Sequence, residues 1–274
     1  AKHDVGEAAA MILSARAHIA AKSDQDALKT AEEAVAKFQG LSNQLGEASA
    51  LCTVARAYVL VGRNQKASEE ATKAVSIFRD IGIQEGEASA LQALIDTSLA
   101  MKRYSEGLQA AEKMFAIYQA LGDAFGQGMA KLRSAEVNKA SEDRQEAVSD
   151  AQEGAKFFKK ANAQRRVGMI NKIGAEAAIA ERMGDEALEM SDKAVLAFKA
   201  AGDKYGMAGA TITMANLFSE MGEFDKATYR AEAAADIFKK LKLNLDAAAS
   251  FRTACFAFLD KKMFDPKASS SVTR

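Results

Sequence analysis

Small and apolar residues recur along this chain with two periods at once, and together they predict its elements. Phe38, Phe78, Tyr118, Phe158, Phe198 and Phe238 form a ladder in which each ring stands forty positions after the last, without a slip. Seven residues before each ring is a small residue: Ala31, Ala71, Ala111, Ala151, Ser191 and Ala231. Four residues earlier still come Ala27, Ala67, Gly107, Ala147, Ala187 and Ala227. The spacing i, i+4, i+11 lies on one face of an α-helix, so each copy carries a helix that packs through small residues and one ring. A fixed period of this length is the mark of a helical repeat array.

A second helix in each copy is announced by Gly46-Glu47-Ala48-Ser49-Ala50-Leu51 and Gly86-Glu87-Ala88-Ser89-Ala90-Leu91, with related starts at Gly6, Gly126 and Gly206. At Arg166-Val167-Gly168-Met169 the glycine of this column is lost, but Gly168-Met169 aligns with Gly128-Met129 and the period holds. Glycine early in a helix costs about 1 kcal/mol relative to alanine, so its recurrence predicts close approach by a neighbour. The pattern places a first helix at roughly 43 to 61 and a second at roughly 65 to 81, repeated at the interval of the rings.

Helix ends repeat as well. Gly82, Gly122, Asn162 and Gly202 share one column after the ring, where a left-handed residue closes a helix. Asp123 and Asp203 follow and are placed to cap the next helix. Within a copy the turn is marked by Gly62, Gly184 and Gly222, with Asn64, Asp185 and Asp225 as expected caps. A seventh first helix, from about Asp246 to Lys262, ends the pattern, and Asp265-Pro266 reads as the start of one more. The expected fold is all-α, a right-handed α-solenoid of antiparallel helix pairs with about six and a half repeats. It forms one domain over 1–268, with a polar tail at 269–274.

Charge and rare residues narrow the chemistry. Lys+Arg and Asp+Glu are both 37, for a net charge of +0, which lacks the positive field that draws nucleic acid. Cys52 and Cys255 are the two cysteines, about five copies apart in a linear stack. That is too far for a disulfide, so both are expected as buried thiols in a reducing compartment. His3 and His18 complete no metal-ligand spacing. No metal, cofactor, phosphate loop or nucleophile motif is expected, so the chain reads as non-catalytic. Met101, Met183 and Met221 are expected to plug the core near turns. No run suits membrane insertion. A cytoplasmic setting is expected, or an organelle interior if a targeting peptide precedes Ala1.

Met221-Gly222-Glu223-Phe224-Asp225-Lys226-Ala227 resembles the turn between the helices of a tetratricopeptide repeat, with Tyr104 and Phe264 in the aromatic place of other copies. Val54-Ala55 with Tyr58, and Met214-Ala215 with Phe218, resemble that family's first helix. The resemblance covers about 6 to 268. The period of forty is longer than the usual period of about 34. In this it is similar to the longer repeats of polarity adaptors, kinesin light chains and bacterial regulators with helical sensor domains.

The resemblance implies that partners bind a concave groove lined by the first helices. One column there reads Arg16, Arg56, Asp96, Glu136, Glu176, Asn216 and Phe256, and its neighbour reads Ile12, Cys52, Gln92, Leu132, Lys172, Ile212 and Arg252. With Arg133 these form the expected binding face for a protein or peptide, graded from basic to acidic to polar. The competing reading is a solvated face in which Arg133 and Lys172 neutralise the acidic middle. The Lys/Asn clamp of chaperone-binding relatives is missing, because Arg16 and Arg56 stand where it wants Asn. A structural subunit of a larger complex and a ligand-sensing domain are the alternatives.

Overall fold

The computed structural model describes residues 2–264, and those residues form thirteen α-helices with no strand. Helices α2 (Asp24–Gly40) to α12 (Phe224–Lys240) are each 17 residues long. They follow α1 (Lys2–Ala20) and precede α13 (Asn244–Phe264). The predicted pair at 43–61 and 65–81 is observed as α3 (Gln44–Leu60) and α4 (Asn64–Asp80). The expected tail at 269–274 and the Asp265-Pro266 start lie outside the described residues.

The chain divides between Ser141 and Glu142 into two compact units. The first holds α1 to α4, α5 (Gln84–Ala100), α6 (Tyr104–Ala120) and α7 (Ala124–Ala140). Its odd-numbered helices pack side by side, and each even-numbered helix packs on the odd-numbered helices before and after it. The second unit holds α8 (Arg144–Lys160), α9 (Gln164–Ala180), α10 (Gly184–Ala200), α11 (Lys204–Glu220), α12 and α13. There α9, α11 and α13 form the row of adjacent first helices.

The ring column and the glycine column are two halves of one contact. A Cβ added at Gly46, Gly86, Gly126 or Gly206 would overlap the ring of Phe38, Phe78, Tyr118 or Phe198 respectively. Each ring therefore lies against bare backbone at the head of the next helix, which accounts for the glycines despite their conformational cost. Gly6 meets nothing within 4 Å among the described residues, so this reason does not extend to it.

Every link is the same three-residue turn. At Ser42 the backbone N–H donates to Gln39 O at 3.0 Å, and Asn43 N–H donates to Phe38 O at 3.0 Å, closing the helix in a Schellman motif. A left-handed residue stands at the same place in every link from Lys22 to Lys242, and it is glycine at five of them and another residue at seven. Gly82, Gly122, Asn162 and Gly202 all have it, as expected. Asp123 accepts from Phe125 N–H at 2.9 Å and Asp203 from Gly206 N–H at 2.8 Å, and Asn43 caps α3 in the same way.

Four sequence expectations need correction. Asn64, Asp185 and Asp225 are not caps: Arg63, Met183 and Glu223 hold those positions, and none of the three makes a side-chain cap bond. Gly184 opens α10, and Arg182 is the left-handed residue of that turn. Met221 is 46% exposed and so plugs no core, whereas Met101 and Met183 are half-buried. Cys255 is exposed, since no second helix covers that side of α13 among the described residues, whereas Cys52 is buried as expected.

Candidate functional site

The repeat sets Arg16, Arg56, Asp96 and Glu136 on α1, α3, α5 and α7, at one height on adjacent helices. Their chain neighbours are buried on both sides at α3, where Ala55 and Ala57 flank Arg56, and at α5, where Ile95 and Thr97 flank Asp96. Helix geometry then leaves the polar side chains as a ridge above an alanine-rich packing layer. The second column is more buried: Ile12, Cys52 and Leu132 are core residues, and Gln92 is half-buried.

Arg133 holds this ridge together. Its guanidinium donates to Asp96 Oδ1 and to Glu136 Oε2, joining α5 to α7. On the other side of Asp96, Oδ2 stands 3.9 Å from Arg56 Nε, too far for a hydrogen bond. Arg56 Nε is shielded from solvent and has no acceptor. Arg16 is exposed and makes no ion pair among the described residues. Beneath them burial pushes the Cys52 thiol up to about 11, against the pull of Arg56 and Arg16, so it stays protonated and unreactive at neutral pH.

In the second unit, Lys172 Nζ lies 2.5 Å from Glu176 Oε1, one helical turn apart on α9. Asn216 on α11 and Arg252 on α13 are exposed, and Phe256 is 59% exposed. The structure thus brings Arg56, Asp96, Arg133 and Glu136 into one network and pairs Lys172 with Glu176, while Arg16, Asn216 and Arg252 stand apart. The acidic residues at the middle of the column are matched within the chain. The positive charge of Arg16 and part of that of Arg56 are not.

Nothing in the sequence pattern points to the hydrogen bond from Tyr58 Oη to Glu32 Oε1 at 2.6 Å. It joins α3 to α2 on the side of the second helices, across 26 residues. Donation to Glu32, together with burial, raises the phenol to about 12. Among the described residues no group of His, Cys, Asp and Glu is arranged to hold a metal ion. No described helix is long and apolar enough to cross a membrane.

This arrangement of helix pairs is the tetratricopeptide-like repeat fold. The apo form of RapI is similar over 94% of this chain and 99% of its own length, with a TM-score of 0.64 and 14% identity. The TPR-like repeats of a kinesin light chain from Podosopora anserina are similar over 70% of this chain and 94% of theirs, with a TM-score of 0.60 and 18% identity. The Rap conjugation gene regulator of plasmid pLS20, in complex with the Phr* peptide, is similar over 92% of this chain and 74% of its own, with a TM-score of 0.58 and 11% identity. No protein-family model matches the sequence, and no curated protein matches it. At these identities the likeness establishes the fold.

Proposed function

We propose that this chain is a non-catalytic interaction scaffold that holds a peptide or helical segment of a partner protein on its first helices. The observation that carries the reading is Arg56. Its side chain is 32% exposed and the nearest carboxylate, Asp96, stands 3.9 Å away, beyond hydrogen-bond reach, so the solvent-facing part of the guanidinium is open to a ligand carbonyl or carboxylate. Arg16 adds an exposed cation one copy away on α1, and Gln92 offers an amide on α5. The Arg133 network supports the reading in another way: it fixes Asp96 and Glu136, so this part of the ridge is rigid before a ligand arrives. Lys172, Glu176, Asn216 and Arg252 are the corresponding contact residues proposed for the second unit. The likeness to a Rap protein in complex with a peptide favours a peptide over a small molecule.

The test is selection from a random peptide library displayed against the whole chain, followed by binding of the selected peptides to R16E/R56E. Selected peptides should lose at least about tenfold in affinity, about 1.4 kcal/mol. Peptides that bind the double variant as well as the parent would remove the first-helix face as the site.

A further inference from the structure

On the opposite side of the first unit, α2 and α4 leave a groove of about 580 Å³ whose floor is α3. Its base is apolar, made by Leu51 and Val54 with Val35 and Ile77 on the walls. Its rim is acidic, with Glu32, Glu47 and Glu70 and one ammonium, Lys73. Lys73 is already held by Glu70 at 2.9 Å. Glu47 accepts from the neutral Gln39 amide at 2.9 Å, and Glu32 accepts from Tyr58. Lys66 sits over the Tyr58 ring, 5.9 Å from its centroid, and pairs with neither carboxylate among the described residues. Two carboxylates therefore stand beside an apolar floor without a cation, and one is oriented by a buried phenol.

The corresponding place one copy on is built differently. Arg79 replaces Gln39 and binds Glu87, the counterpart of Glu47, at 2.6 Å. Thr72 stands in the place of Glu32, and Ser98 in that of Tyr58. The chain thus neutralises this carboxylate with its own arginine between α4 and α5, and leaves it unneutralised between α2 and α3. Where the protein itself supplies an arginine in one copy, the same partner chemistry fits the copy that lacks one.

We propose that the α2–α4 groove is a separate binding site, for an arginine or lysine side chain carried on an apolar segment of a partner protein. The aliphatic stem lies along Val54 and Ile77, and the cationic head pairs with Glu47, the carboxylate that lacks an arginine in this copy, while Glu32 adds to the negative rim. The site does not depend on the first-helix face and is on the other side of α3.

The test uses the whole chain with methyl-labelled Ile, Leu and Val, titrated with acetyl-Leu-Arg-Leu-amide, its citrulline counterpart and free agmatine. The arginine peptide should shift the methyl signals of Val35, Leu51, Val54 and Ile77, and the citrulline peptide should bind at least about tenfold more weakly. E32Q/E47Q should bring the arginine peptide to the citrulline level with an unchanged melting temperature. Y58F, which keeps both carboxylates but releases Glu32, should fall between. R16E/R56E should have no effect, which separates this site from the first-helix face. Equal binding of the two peptides, indifference to E32Q/E47Q, or shifts confined to other methyls would overturn the proposal. Agmatine binding as tightly as the peptide would also overturn it, by assigning the groove to a free amine.

Discussion

Phe78 and Phe158 occupy the same column and both are buried, but they rest on different neighbours. Eight residues after Phe78 comes Gly86, whose missing Cβ makes room for the ring. Eight residues after Phe158 comes Arg166, and Phe158 is nonetheless 0% exposed. The bare position in α9 has moved to Gly168, where an added Cβ would come within 2.8 Å of the Phe198 ring of α10. Burial of a ring does not by itself demand glycine. What demands it is a ring pressed against the first turn of the following helix, and in α9 that close approach comes from the next partner.

The largest effect expected is from the rings themselves. F78A and F158A should each cost about 3–5 kcal/mol in urea denaturation, because both remove a fully packed side chain. A much smaller loss at Phe158 would mean that its surroundings collapse where those of Phe78 do not. The glycine position then separates the two. G86A should cost about 1–3 kcal/mol, since the ring must give way. R166G should lose up to about 1 kcal/mol through helix propensity and gain nothing in packing. A rise in melting temperature for R166G would break the comparison.

Helix entry is the next test. D203A should cost about 1 kcal/mol as a lost cap, and D203N should retain most of it. The Gly206 N–H, helped by Arg165, holds the Asp203 carboxyl below the usual range. Because the folded value lies below the unfolded one, its contribution is complete above about pH 4 and is lost as pH falls through the folded value. The parent should therefore lose more stability than D203N on acidification in that window. The smallest effect is at the turns: K102G, at a left-handed residue with φ of 57°, should gain about 0.5–1 kcal/mol. A loss there would show that the Lys102 side chain contributes to α5 or α6.

Much of this fold is local and can therefore be read from the chain. The ring column, the glycine column and the closing Gly or Asn act within a few positions of one another, so each leaves its mark at a fixed spacing. The intra-copy caps mislead because Asn64, Asp185 and Asp225 are good capping residues in the wrong frame: they fall in the first turn of the helix. The left-handed position escapes notice at Lys22, Lys102 and Arg182 because lysine and arginine do not favour that conformation and so do not signal it. On the candidate face the column positions are legible, but the pairing is not. That Arg133 reaches Asp96, 37 residues away, follows from how α5 and α7 pack. The contact of Tyr58 with Glu32 likewise follows from how α3 meets α2.

The turns have a consequence for how the stack finds its frame. Backbone conformation repeats with every helix, while side chains repeat only with every second helix. Slid by one helix, each turn would fall on another of the same conformation, so the turns alone would raise no objection. The objection comes from what stands one helix beyond each bare position: Lys66 after Gly46, Glu106 after Gly86, Glu146 after Gly126 and Lys226 after Gly206. A ring meeting any of these would find a charged side chain where it needs open backbone. The alternation of glycine and charge thus acts as a parity mark, telling an otherwise uniform chain which helices are odd and which are even.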